Sequence, residues 1–198
     1  MRLFDKIYSY IWGKAFLDCS NAYVIESDFV LLIDPGKLKS YSNLLGLMRN
    51  DKIRNVDFIL NTHLHLDHCE SNVMFKEHGA TVSFYPIKKQ PDVLPEELED
   101  LFDFEILLTS GHSEDSISIY FQNCDAAVVG DIVSERGVGR FDLPESNPKK
   151  FIKSIEKIQG LDVNYLLPGH GRILEGREGI YLLLEKAKVV LEKFIELR

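Results

Sequence analysis

The chain has 198 residues, 45% of them hydrophobic, which suits one soluble globular domain over 1–198 with a full-sized core. Its 23 Lys and Arg against 31 Asp and Glu leave a net charge of −8, which argues against a broad nucleic-acid-binding surface. Three cysteines (Cys19, Cys69 and Cys124) in no Cys-x-x-Cys spacing argue against a disulfide framework and for a reducing compartment.

The opening MRLFDKIYSYIWGKAF is interrupted by Asp5 and Lys6 and does not read as a secretory signal. No apolar run approaches the ~18 residues that span a bilayer. A cytoplasmic protein with no membrane partner is the expectation.

Asn21–Glu26 and Phe29–Asp34 read as paired strands about the turn-prone Ser27-Asp28, and Pro35-Gly36 breaks the second. Tyr41–Asn50 has helical spacing, with Leu44, Leu45, Leu47 and Met48 on one side. Val56–Leu60 is a short buried strand. Ser71–His78 is a helix that Gly79 ends. The polar stretch Lys88–Asp103, with Pro86, Pro91 and Pro95 nearby, reads as a loop leading into a short acidic helix from about Glu96.

Glu105–Leu108, Ile117–Phe121 and Ala126–Val129 read as strands. A helix starts at Pro148 behind the cap Asn147 and stops at Gly160, with Phe151, Ile152, Ile155 and Ile158 as its apolar face. Val163–Leu167 is another strand. A long C-terminal helix carries Ile180, Leu183, Leu184, Ala187, Val190, Leu191, Phe194 and Ile195 in one stripe. That stripe serves its own core in the commoner case, and a homodimer contact in the other. The order implies two sheets with helices on their outer faces.

The chemistry concentrates in Asn61-Thr-His-Leu-His-Leu-Asp-His68, where three imidazoles and a carboxylate fall within six residues. Side chains two apart in an extended segment share a face, so His63 and His65 can converge. Asp67 and His68 follow where the chain turns, and can serve a second position. Imidazole and carboxylate suit zinc, iron or manganese. A chance cluster of surface histidines is the bland alternative, and the alternation with Leu64 and Leu66 weighs against it. His112, Asp131 and His170 each follow an apolar strand. The glycines beside them (Gly111, Gly130, Gly169 and Gly171) are read as leaving room for metal and substrate. His78 ends a helix and is read as a partner of free carbonyls, outside the site.

These residues resemble the metallo-β-lactamase superfamily over nearly the whole chain. Ser20-Asn-Ala-Tyr-Val-Ile and Leu32-Ile-Asp-Pro-Gly36 look like its first motif, and Thr62–His68 like its second. His112, Asp131 and His170 fall where the third, fourth and fifth belong. The resemblance implies an α/β fold, the αββα sandwich of two mixed sheets with helices outside. It implies His63, His65 and His112 on one metal, Asp67, His68 and His170 on a second, Asp131 bridging the two, and Asp34 orienting the histidine segment from behind. Gly139-Arg-Phe-Asp-Leu-Pro144 and Pro168-Gly-His-Gly171 are similar to glyoxalase-II-like hydrolases. Cys69-Glu70-Ser71-Asn72 departs from the glycine pair common after the Asp-His step.

The reaction expected from this set is hydrolysis. A hydroxide bridging two divalent ions, most simply zinc, would attack the carbonyl of a thioester, ester or lactone in a small-molecule substrate. Asp67 is the ligand that could also accept a proton. Arg140 either binds an anionic part of the substrate or pairs with Asp142 or Glu145 at the surface. Loops near Lys37–Asn43, Pro86–Pro95 and Glu135–Asn147 would carry specificity. The competing readings are a mononuclear non-haem iron persulfide dioxygenase using His63, His112 and Asp131, and a metal-binding protein without catalysis.

Overall fold

The computed structural model describes residues 2–4, 6–12, 18–86 and 90–197. Part of the opening segment (13–17) and of the expected Pro86–Pro95 loop (87–89) lies outside the described residues. The chain divides into two compact units, Met1–Asp103 and Phe104–Arg198.

The first unit holds a six-stranded sheet in simple sequence order: β1 (Arg2–Phe4), β2 (Ile7–Tyr10), β3 (Ala22–Glu26), β4 (Val30–Ile33), β5 (Phe58–Leu60) and β6 (Thr81–Ser83). β1 to β4 pair antiparallel, whereas β4, β5 and β6 run parallel. The parallel strands therefore all end at one edge, and Asp34 and Asn61 are the first residues past two of those ends.

Helix α1 (Tyr41–Asn50) has the bounds its spacing predicts. It buries Leu44 and Met48, one turn apart, beside Val24, Leu32 and Ile59, while Leu47 is 41% exposed. The i, i+4 pair defines the covered stripe, and Leu47 sits off it. Two short helices follow, α2 (Leu66–Cys69) and α3 (Asn72–Lys76), and then α4 (Glu99–Phe102) after a 3-10 turn at Pro95–Leu98. The helix expected over Ser71–His78 is thus shorter. His78 Nδ1–H reaches back to the Met74 carbonyl at 2.7 Å, and Gly79 leaves the helix at φ +98°.

The second unit holds a five-stranded sheet from β7 (Glu105–Leu108), β8 (Ile117–Phe121), β9 (Ala126–Gly130), β12 (Tyr165–Pro168) and β13 (Leu174–Glu175). Its order is β13-β12-β9-β8-β7. β9 and β12 are parallel, and the remaining pairs are antiparallel. Because β7 and β9 both oppose β8, the strands β7, β9 and β12 end at the same edge. A separate two-stranded hairpin, β10 (Val133–Ser134) with β11 (Gly137–Val138), leaves that edge after β9.

Asn147 caps α5 (Pro148–Gly160) as expected, its side chain accepting from the Lys150 amide at 3.1 Å. Phe151, Ile155 and Ile158 of α5 share one core with Ile180, Leu184, Ala187 and Leu191 of α6 (Arg177–Glu196) and with Ala127, Val129 and Leu166 of the sheet. Each large side chain so buried contributes about 1.5–3 kcal/mol. Val190 was expected in that stripe but is 45% exposed, so the covered face of α6 is narrower than the pattern suggests. The two-sheet α/β class expected from the sequence is the class observed.

Candidate functional site

In the first unit the site is built where β4 and β5 end. Asp34 adopts φ +50°, and its backbone N–H donates to the Leu60 carbonyl at 3.2 Å. Its carboxylate is 1% exposed and fully engaged: Oδ1 accepts from the Thr62 amide at 2.8 Å, and Oδ2 accepts from Thr62 Oγ1 at 2.7 Å and His68 Nδ1 at 2.8 Å. Since the Thr62 hydroxyl spends its proton on Asp34, its oxygen accepts from His63 Nδ1 at 3.1 Å. Two tautomers follow. His63 and His68 both carry their proton on Nδ1, and each presents the lone pair of Nε2.

His63 Nε2 lies 3.0 Å from His65 Nδ1, with the rings edge to face. Asp67 Oδ2 lies 3.9 Å from His68 Nε2. His63 and His68 are buried, whereas His65 and Asp67 are partly open to solvent. The turn of α2 separates the pairs. His65 is the extended residue before the helix (φ −66°, ψ 142°), and its carbonyl accepts the amides of His68 and Cys69.

In the second unit His112, Asp131 and His170 follow β7, β9 and β12. Asp131 Oδ2 lies 3.7 Å from His112 Nε2 and 3.7 Å from His170 Nε2. Both distances are too long for a hydrogen bond. His112 Nδ1–H donates to the Arg140 carbonyl at 2.8 Å, so Nε2 is again the nitrogen presented. The Ser146 hydroxyl holds the His112 carbonyl at 2.7 Å.

Donor atoms sharing a tetrahedral ion at ~2.0–2.1 Å stand about 3.3 Å apart. The spacings within each cluster, 3.0 and 3.9 Å in the first and 3.7 Å in the second, lie within about 0.6 Å of that value. The donors are imidazole and carboxylate, with three histidines oriented by partners on the far ring nitrogen, as metal-ligating histidines are. The residues of each cluster therefore fit a divalent metal.

One sequence expectation is corrected. Gly111 was read as leaving room for metal, but a Cβ there would stand 2.3 Å from Phe151 Cα, with φ at +150°. The missing side chain makes room for α5, whereas a Cβ on Gly171 would stand 2.0 Å from Glu135 Oε2, the end of a flexible side chain. The Arg140 side chain pairs with Asp142 at 3.0 and 3.1 Å and is 67% exposed. What Arg140 offers the cluster is its carbonyl. Neither that role nor the hydroxyl relay of Thr62 follows from the residue pattern. A backbone acceptor carries no residue signature, although Thr62 sits inside the motif.

Comparison with known proteins places these clusters in context. The model of the metallo-β-lactamase superfamily matches residues 17–104 and 82–170. A probable metallo-hydrolase of Methanocaldococcus jannaschii is 30% identical, over 78% of this chain and 88% of its own. A hydroxyacylglutathione hydrolase of Pelagibacter ubique is 31% identical over 66% of this chain, which spans just over half (56%) of that relative. The crystal structure of TTHA1623 in a di-iron-bound form superposes with a TM-score of 0.72 at 27% identity, covering 85% of this chain and 94% of the other. Crystal structures of metallo-β-lactamases themselves share the fold. The chain belongs to the metallo-β-lactamase superfamily and is a metallo-hydrolase by family, with hydroxyacylglutathione hydrolases among its relatives.

Proposed function

We propose that the two clusters act together, within one domain, as a two-metal centre that hydrolyses an acyl thioester of a small molecule, with esters and lactones as further substrate classes. His63, His65 and His112 would hold one divalent ion, Asp67, His68 and His170 the other, and Asp131 both. When bound, such a pair supplies an activated water at neutral pH and a Lewis acid for the carbonyl oxygen. The chain's own residues prepare that centre. Asp34 and Thr62 keep the protons of His63 and His68 on Nδ1, and the Arg140 carbonyl does the same for His112. Asp67, partly open to solvent, would take up a proton as well as ligate.

The observation that carries the reading is the set of partners at Nδ1: Thr62 Oγ1 at His63, Asp34 at His68 and the Arg140 carbonyl at His112. Three separate acceptors each turn an Nε2 lone pair toward neighbouring donors, an arrangement with no use in a purely structural core. Thioesters come first because hydroxyacylglutathione, the substrate in a relative's name, is one. Zinc is the simplest ion for such donors, and iron is held in the similar TTHA1623.

Metal analysis of the purified protein, followed by a panel of thioesters, esters and lactones, tests the reading. Two divalent ions per chain and thioester turnover are expected. One iron per chain with oxygen uptake on glutathione persulfide would overturn it, as would a metal-replete protein that cleaves nothing in the panel.

A further inference from the structure

The hairpin β10–β11 reaches the surroundings of all three ligands of the second unit. Its base is anchored: Val133 is 1% exposed and Val138 packs on the core shared by α5 and α6. On leaving the hairpin, Gly139 donates its amide to the Ile132 carbonyl at 2.9 Å. The Gly139 backbone lies so close to Asp131 that a Cβ would stand 1.8 Å from the Asp131 carbonyl oxygen. The next residue, Arg140, gives its carbonyl to His112 Nδ1 at 2.8 Å. At the hairpin's turn, the Glu135 carboxylate accepts from the Arg172 amide at 3.2 Å and fills the space beside Gly171. Gly171 and Arg172 directly follow His170. The Glu135 side chain is 24% exposed, and its Oε1 lies 3.9 Å from Arg136 Nε.

We propose that this hairpin is the positioning device for His112, Asp131 and His170, and that Glu135 is a positioning residue for His170, acting through the backbone of 171–172. The inference rests on the metal-centre reading above. Strands β7, β9 and β12 deliver the ligands to one edge, but each ligand sits on irregular backbone past its strand, where the sheet no longer sets its direction. Six residues returning over that edge supply the missing constraint. A small residue at 139 brings the strap against Asp131. A carbonyl at 140 fixes a tautomer. A carboxylate at 135 holds the loop after His170.

The test is metal binding in wild type, Glu135→Ala and Glu135→Gln, by chelator competition and by the visible spectrum of the cobalt-loaded proteins. The melting temperatures of the metal-free proteins are measured alongside. Glu135→Ala is expected to weaken metal binding by about 10–100-fold, the usual effect of losing a partner that orients a ligand, and to alter the cobalt spectrum. Glu135→Gln keeps an oxygen for the Arg172 amide and is expected to stay close to wild type. A Glu135 that ligated metal itself would lose as much in Gln as in Ala, and that result would overturn the positioning role. So would an unchanged affinity in Glu135→Ala, or a fall in metal-free melting temperature large enough to account for the loss. A wild type that holds no metal overturns the functional reading itself. A wild type that holds metal beside an indifferent Glu135→Ala overturns only this inference.

Discussion

Replacing Asp34 separates stability from metal orientation. Its carboxylate accepts three hydrogen bonds in a site 1% exposed. Asp34→Ala strands the Thr62 amide and the His68 Nδ1–H, each at about 1–3 kcal/mol for a buried donor without a partner. Alanine must also hold φ near +50°, where Asp is better tolerated, for a further ~1–2 kcal/mol. The sum, about 3–8 kcal/mol, rivals the whole stability of a typical domain at ~5–15 kcal/mol. Asp34→Ala is therefore expected to unfold at far lower denaturant or to accumulate as insoluble protein.

Asp34→Asn is the sharper probe. Its oxygen can still accept from the Thr62 amide, so most of the fold's stability should remain. Its NH2 then faces Thr62 Oγ1 and His68 Nδ1, and the imidazole must move its proton to Nε2, the nitrogen meant for metal. Metal affinity should fall about 10–100-fold while the metal-free chemical-denaturation midpoint moves little. Equal metal affinity in Asn and wild type, by chelator competition, would refute the tautomer argument.

Three further outcomes follow from the same geometry. Gly111→Ala places a Cβ 2.3 Å from Phe151 Cα and should cost about 1–3 kcal/mol by overpacking, read as a lower melting temperature. Burial pushes the Cys124 thiol up to about 11, so its alkylation at pH 8 should be far slower than that of a small-molecule thiol, by mass spectrometry of the labelled peptide. The Lys76 ammonium, with help from the Val82 amide, holds Asp92 below its usual 3.8. A depressed carboxyl stabilises above its unfolded pKa and loses that contribution as pH falls through the folded one. The advantage of wild type over Asp92→Asn should thus be present at neutral pH, vanish below the usual carboxylate range and stay small throughout, since the pair is solvent-exposed.

Local signals were legible wherever one stretch of chain held the whole cause. The 41–50 helix, the Asn147 cap with Pro148, and the strands at 105–108 and 117–121 all appear where their patterns place them. Several strands of two or three residues, at 81–83, 133–134 and 174–175, escaped because so few residues carry no period. Leu47 and Val190 look like core by spacing, and only the packed helix shows which side of the stripe is covered.

The candidate ligands divide in the same way. His63, His65, Asp67 and His68 announce themselves because one short segment concentrates donors that a core would otherwise exclude, and the order of His112, Asp131 and His170 along the chain completes a familiar pattern. By itself the sequence determined which side chains could bind metal and which family they belong to. Tertiary structure alone decided which nitrogen each imidazole presents, because Asp34 meets His68 from 34 residues away and the Arg140 carbonyl meets His112 from 28. It also decided that Gly111 and Gly171 yield their space to Phe151 and Glu135. Those are contacts between segments distant in the chain, several of them made by backbone atoms that every residue type carries, so no local pattern could have announced them.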